Sequence, residues 1–190
     1  MNDLRPALFM DRDGTVIVEV DHCCRPEDVA LYPGVKEAMQ RARDAGYKLV
    51  FITNQSGIGR GYFTEADFHA VNGRIRELLG HAAPDGIYFA PDLPGAATPR
   101  RKPGTGMIEE ACRDLGITLE GSWMIGDKWS DIQCGTHAGL PAILVETGYG
   151  QGEAHKCAPD SIQKDLAAAI AWVLSGAPPD TAFAGSEPTD

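Results

Sequence analysis

Apolar residues along this chain fall into short unbroken runs separated by longer segments with helical spacing. The runs "ALFM" (7–10), "KLVFIT" (48–53), "GIYFA" (86–90), "SWMIG" (122–126) and "PAILVE" (141–146) have strand length and composition. Between them, 35–46, 64–80, 106–116 and 130–139 read as helices, and a last helix is expected at about 162–174. The first four close on Gly46, Gly80, Gly116 and Gly139, the residue type a helix C-terminus favours. Thr64 and Asp67 have the spacing of an N-terminal capping box. Strands alternating with helices predict βαβ units, and so a three-layer α/β fold with a mostly parallel sheet covered on both faces.

Parallel sheets of this kind bind ligands at the carboxyl ends of their strands. Four of those ends are polar here: "DRDGT", "TNQSG", the segment leading to "RRKPG", and "GDKWSD". They bring Asp11, Asp13, Thr53, Asn54, Lys102, Asp127, Lys128 and Asp131 to one rim. A strand period of two points Asp11 and Asp13 the same way, which costs energy unless something offsets the paired charge. A hard cation such as Mg²⁺ would do so. The same set holds a hydroxyl and an ammonium for phosphate oxygens, a carboxylate to act as nucleophile and another to move a proton. Phosphoryl transfer asks mainly for positioning and charge neutralisation, which such a set supplies.

Composition narrows the setting. The chain has 190 residues, 43% of them hydrophobic, enough for one core-bearing domain, read as residues 1–175. The Pro-, Ala- and Gly-rich stretch 176–190 reads as a disordered tail. A net charge of −10 excludes a general nucleic-acid or anionic-membrane surface, so an anionic partner must be drawn by a local cluster or a metal. No run is long enough to span a membrane and the first residues lack a signal-peptide pattern, which leaves a cytoplasmic monomer acting on a small molecule as the expectation. Five cysteines, with no C-x-x-C pair, fit a reducing compartment. The glycines of "GIGRG" (57–61) match no nucleotide-binding spacing and read as a flexible loop. Trp123 and Trp172 read as packing residues, with ligand stacking left open for Trp129.

Taken together, "DRDGT", Thr53, Lys102 and "GDKWSD" resemble the four motifs of the haloacid dehalogenase (HAD) superfamily of phosphatases. That resemblance implies a Rossmann-like sheet in the order 5-4-1-2-3. More narrowly, "DH" (21–22), "YPGV" (32–35), "TNQSGIGRGYFTEADF" (53–68), "RKPGTGM" (101–107) and "MIGDKWSDIQ" (124–133) resemble the heptose 1,7-bisphosphate 7-phosphatases and the related histidinol-phosphate phosphatases, neither of which has a large cap domain. The resemblance implies Asp11 as nucleophile, Asp13 as acid and base, and Thr53 and Lys102 as ligands of the transferring phosphoryl group. It also implies Mg²⁺ bound by Asp11, the Asp13 backbone carbonyl and Asp127, with Asp131 behind them. Substrate contacts are implied for Glu19, Asp21, His22, Thr53, Asn54, Gln55, Ser56, Arg101, Lys102 and Lys128. A heptose 1,7-bisphosphate is the first expected substrate; histidinol phosphate, another sugar or polyol phosphate, or an inactive binding module are the rivals. One departure stands out. Ala90, Asp92, Thr98 and Arg100 occupy the places of the family's Cys-x-His and Cys-x-Cys zinc ligands, so no zinc is expected.

Overall fold

The first strand, Ala7–Met10 (β1), is apolar at all four positions, which suits a strand covered on both faces. The computed structural model describes residues 4–96 and 98–176, and from residue 177 onward the tail lies outside the described residues. β1 sits inside a parallel sheet with Lys48–Asn54 (β2), Gly86–Ala90 (β3), Trp123–Gly126 (β4), Ala142–Val145 (β5) and Ser161–Gln163 (β6). The order is β3-β2-β1-β4-β5-β6, every pairing parallel. This is the expected 5-4-1-2-3 arrangement with one more strand at its edge. β6 replaces the start of the expected last helix, because Asp165 caps that helix through Ala168 N–H and fixes its first turn at Leu166.

The α-helices among the described residues are α1 (Val35–Asp44), α2 (Ser56–Gly59), α3 (Glu65–Leu79), α4 (Gly106–Leu115), α5 (Trp129–His137), α6 (Gly150–Glu153) and α7 (Leu166–Leu174). Thr64 and Asp67 form the expected capping box at α3. The segment read as a flexible loop opens instead with the single helical turn α2.

Alternate strand residues divide into two cores. Leu8, Met10, Leu49, Phe51, Ile125, Ile143 and Val145 pack with α1, α3 and α7. Ala7, Phe9, Val50, Ile52, Met124, Ala142 and Leu144 pack with α4 and α5 on the other face. Each large side chain fully buried this way contributes about 1.5–3 kcal/mol. Trp123 and Trp172 pack edge to face at 5.3 Å, as expected of packing residues. Among the described residues, no helix is long and apolar enough to cross a membrane. The rigid sheet therefore ends, at its carboxyl edge, in a row of loops held at fixed spacing.

Candidate active site

β1 delivers Asp11 to that edge, and the Asp11 amide continues the ladder by donating to Ile125 O at 2.9 Å. Asp11 is buried, with Oδ1 2.8 Å from Lys102 Nζ. Lys102 arrives from the loop between β3 and α4. Its ammonium also donates to Ile52 O at 2.8 Å and lies 2.7 Å from Asp131 Oδ1, so one buried cation joins two carboxylates and a strand carbonyl. The Asn54 amide clamps the Lys102 backbone from both sides, accepting from its N–H at 2.9 Å and donating to its carbonyl at 3.0 Å. Asn54, expected at the substrate, lines both the recess and the cavity described below and in addition holds Lys102.

Burial pushes the Asp11 carboxyl up, but Lys102 and Lys128 outweigh it and hold the group below its usual range. Burial lowers Lys102, and Asp11 and Asp131 more than reverse that, keeping it charged. Asp127 carries the opposite imbalance. It is buried beside Asp11 and Asp131, and desolvation first, then those two charges, push its carboxyl up to about 8.

Oxygens of Asp11, Asp127 and Asp131 lie within 4.8 Å of one another, the one such group of potential ligands among the described residues. The donor set fits a hard divalent cation. Asp127 Oδ2 accepts from Tyr149 N–H at 2.9 Å, while its Oδ1 is buried without a partner, as a ligand oxygen awaiting a cation would be. Asp131 instead has Oδ2 on Lys128 N–H at 2.9 Å and Oδ1 against Lys102, which suits a supporting place behind the metal.

The loop after β5 shapes this corner and escaped the sequence reading. Thr147 Oγ1 donates to Gly14 O at 2.6 Å, and a Cβ on Gly148 would stand 2.2 Å from Asp127 Oδ2 and 2.7 Å from Gly14 Cα. Gly148 has φ +57°, so Gly148→Ala adds about 1–2 kcal/mol of backbone strain to that collision. We expect the variant to keep its circular-dichroism spectrum but lose most of the rise in melting temperature that Mg²⁺ gives the wild type, measured by scanning with and without the metal.

Thr53 Oγ1 accepts from Gln55 Nε2 at 2.8 Å, leaving its own proton free to donate into a small recess lined also by Asp11, Asp13, Lys102 and Ser130. This recess adjoins a cavity of about 530 Å³ whose walls include Glu19, Asp21, His22, Gln55, Ser56, Arg101 and Lys128. Every expected substrate contact therefore lines one of the two spaces. Lys128 Nζ sits 3.7 Å from Glu19 Oε2 and 4.4 Å from the centre of the Tyr149 ring. Burial, opposed by Lys128, pushes Glu19 up to about 7. Tyr149 and Trp129 also face the cavity; Trp129 was left open by the sequence, and Tyr149 had no signal there.

The loop between β3 and Lys102, where no zinc ligands were expected, is tied by arginines. Arg100 Nη2 donates to Phe89 O at 3.0 Å and its Nη1 pairs with Glu110 at 3.3 Å, while Arg101 Nη1 donates to Asp92 O at 2.7 Å.

A parallel sheet carrying this aspartate and lysine cluster at its carboxyl edge is the arrangement that the resemblance to HAD-type phosphatases implied. A family profile described as HAD-hydrolase-like matches residues 99–169. A D-glycero-D-manno-heptose-1,7-bisphosphate 7-phosphatase of Thermosynechococcus vestitus is 40% identical over 90% of this chain and 96% of its own. One from Chlorobaculum tepidum is 36% identical over 90% and 95%. Among solved structures, the D,D-heptose 1,7-bisphosphate phosphatase of B. bronchiseptica, complexed with magnesium and phosphate, superposes with a TM-score of 0.82 at 30% identity, covering 90% of this chain and 99% of that one. The chain belongs to the HAD superfamily and, within it, to the family of these heptose bisphosphate phosphatases. It is a phosphoric monoester hydrolase.

Proposed function

We propose that this enzyme removes the 7-phosphate of D-glycero-D-manno-heptose 1,7-bisphosphate by way of a phosphorylated Asp11. The observation that carries the chemistry is the buried Lys102 ammonium bridging Asp11 and Asp131 beside the unpartnered Asp127 Oδ1. It keeps Asp11 ionised, as a nucleophile must be, and fixes it against the recess floor. Asp11 attacks phosphorus, Asp13 protonates the departing sugar oxygen, and Asp13 then takes a proton from the water that cleaves the aspartyl-phosphate. Thr53 Oγ1 and Lys102 Nζ hold the phosphoryl oxygens throughout. Asp11, the Asp13 carbonyl and Asp127 would hold Mg²⁺, which when bound neutralises charge between the nucleophile and its anionic substrate.

The substrate reading rests on relatives that span nearly the whole chain, and on the cavity beyond the recess. Arg101 and His22, which line the cavity but not the recess, suit a second phosphate at the far end of a sugar. No zinc is part of the reading, since Arg100 and Arg101 already tie the loop where zinc ligands are missing. The test is kcat/KM with Mg²⁺ for the α and β heptose bisphosphates beside histidinol phosphate. The reading expects either heptose anomer to exceed histidinol phosphate by at least about tenfold, equivalent to roughly 1.4 kcal/mol in transition-state binding. Equal or reversed preference would overturn it.

A further inference from the structure

Among the described residues, the largest fully buried side chain is a charged one, Arg12, set between Asp11 and Asp13. It continues the Leu8–Met10 face of β1, under α3, and its guanidinium carbon lies 5.3 Å from the centre of the Phe68 ring, itself packed at a tilt against Phe89. A buried guanidinium is costly unless its donors are matched. Those of Arg12 are matched incompletely. Nε donates to Asp13 Oδ2 at 3.0 Å and Nη2 to Asp13 Oδ1 at 2.9 Å, whereas Nη1 is buried without a partner. The arrangement serves Asp13 better than it serves Arg12.

Asp13 receives one further bond, from Gln55 Nε2 to Oδ2 at 2.8 Å. Oδ2 thus accepts two N–H groups, filling its in-plane lone pairs, while Oδ1 accepts one. We propose, building on the function given above, that Arg12 is a positioning residue for proton transfer. With Gln55 it locks the plane of the Asp13 carboxyl and leaves Oδ1 as the oxygen that exchanges the proton. In the first step the Asp11–phosphorus bond forms, the phosphorus–sugar oxygen bond breaks, and the proton on Oδ1 passes to that oxygen. In the second the water–phosphorus bond forms, the Asp11–phosphorus bond breaks, and a water proton returns to Oδ1.

A residue acting only through Asp13 leaves a signature that a packing residue does not. In full-length, Mg²⁺-loaded enzyme, kcat/KM reports steps up to release of the alcohol, where a sugar leaving group needs the proton and para-nitrophenolate does not. Arg12→Met should lower kcat/KM for the sugar phosphate by about thirtyfold or more, a partial loss of the roughly hundredfold or greater gain that acid catalysis gives, and for para-nitrophenyl phosphate by less than about threefold. Arg12→Met combined with Asp13→Asn should be no slower than Asp13→Asn alone. Equal losses on both esters, or multiplying losses in the double variant, would overturn the proposal. Arg12→Lys keeps the buried charge on one nitrogen without the planar fork that grips both Asp13 oxygens, and Gln55→Met removes one bond to Oδ2. Both should show the same leaving-group bias to a smaller degree, and melting temperatures will show that each is folded. Turnover by Asp11→Asn is a different result, which would overturn the underlying reading and not the role of Arg12 alone.

Discussion

Lys102→Met should abolish phosphate release and lower the melting temperature of the metal-free protein by roughly 6–20 °C. The ammonium is almost completely buried and lies within 2.8 Å of Asp11 and 2.7 Å of Asp131. Methionine fills much the same volume but leaves two buried carboxylates unmatched, and breaking such a pair costs about 3–5 kcal/mol. Without the lysine both carboxyls gain affinity for protons, so acid relieves the defect. The loss should be smaller at pH 5 than at pH 8. Thermal scans of wild type and variant at the two pH values check this; a loss independent of pH would show that the lysine contributes packing and not charge.

Asp127→Asn is expected to act in the opposite direction on stability while also removing activity. Burial, then Asp11 and Asp131, raise the Asp127 carboxyl from 3.8 to about 8 in the metal-free fold. Between those values the folded state binds a proton that the unfolded chain has released. Stability contributed at this position is therefore complete below about pH 4, declines by up to about 1.4 kcal/mol per pH unit as pH rises, and stops declining above about pH 8. Asparagine cannot ionise, so the variant should exceed the metal-free wild type in melting temperature by a margin that widens from pH 4 to pH 8. A divalent cation must displace the Asp127 proton, so Mg²⁺ should raise the wild-type melting temperature more at pH 8 than at pH 6 and leave the variant unmoved. A variant less stable than the metal-free wild type at pH 8 would contradict the electrostatic account of this carboxylate.

What the sequence made legible follows from what local patterns encode. The all-apolar runs marked β1 and β5, and the glycine stops marked α1, α3, α4 and α5, because burial on both faces and helix termination leave signals a few residues long. Asp11, Thr53 and Asp131 converged as expected, since each sits at or a few residues beyond a strand end and strand ends converge in a parallel sheet, and Lys102 joins them from the loop between β3 and α4. β6 was missed because three residues, "SIQ", hold no pattern of their own; their strand conformation comes from pairing with β5. The loop from Thr147 to Tyr149 was missed because it holds Asp127 through a backbone N–H and by lacking a Cβ at Gly148, neither of which residue chemistry announces. Arg12 was passed over because charged residues are rarely buried, and its importance appears only when Phe68 and Asp13 are seen on either side of it. In each case the missed feature is a tertiary partner, not a local preference.

The central claim, a phosphoryl group carried on Asp11, has a direct test. Mg²⁺-loaded Asp13→Asn enzyme mixed with para-nitrophenyl phosphate forms the adduct without needing a general acid and lacks the base that clears it. Acid quenching within the first turnover, followed by peptide mass spectrometry, should find one phosphoryl group on the peptide containing Asp11, and none in the Asp11→Asn, Asp13→Asn double variant. A phosphoryl group on any other residue, or release of stoichiometric para-nitrophenolate with no adduct, would contradict the account.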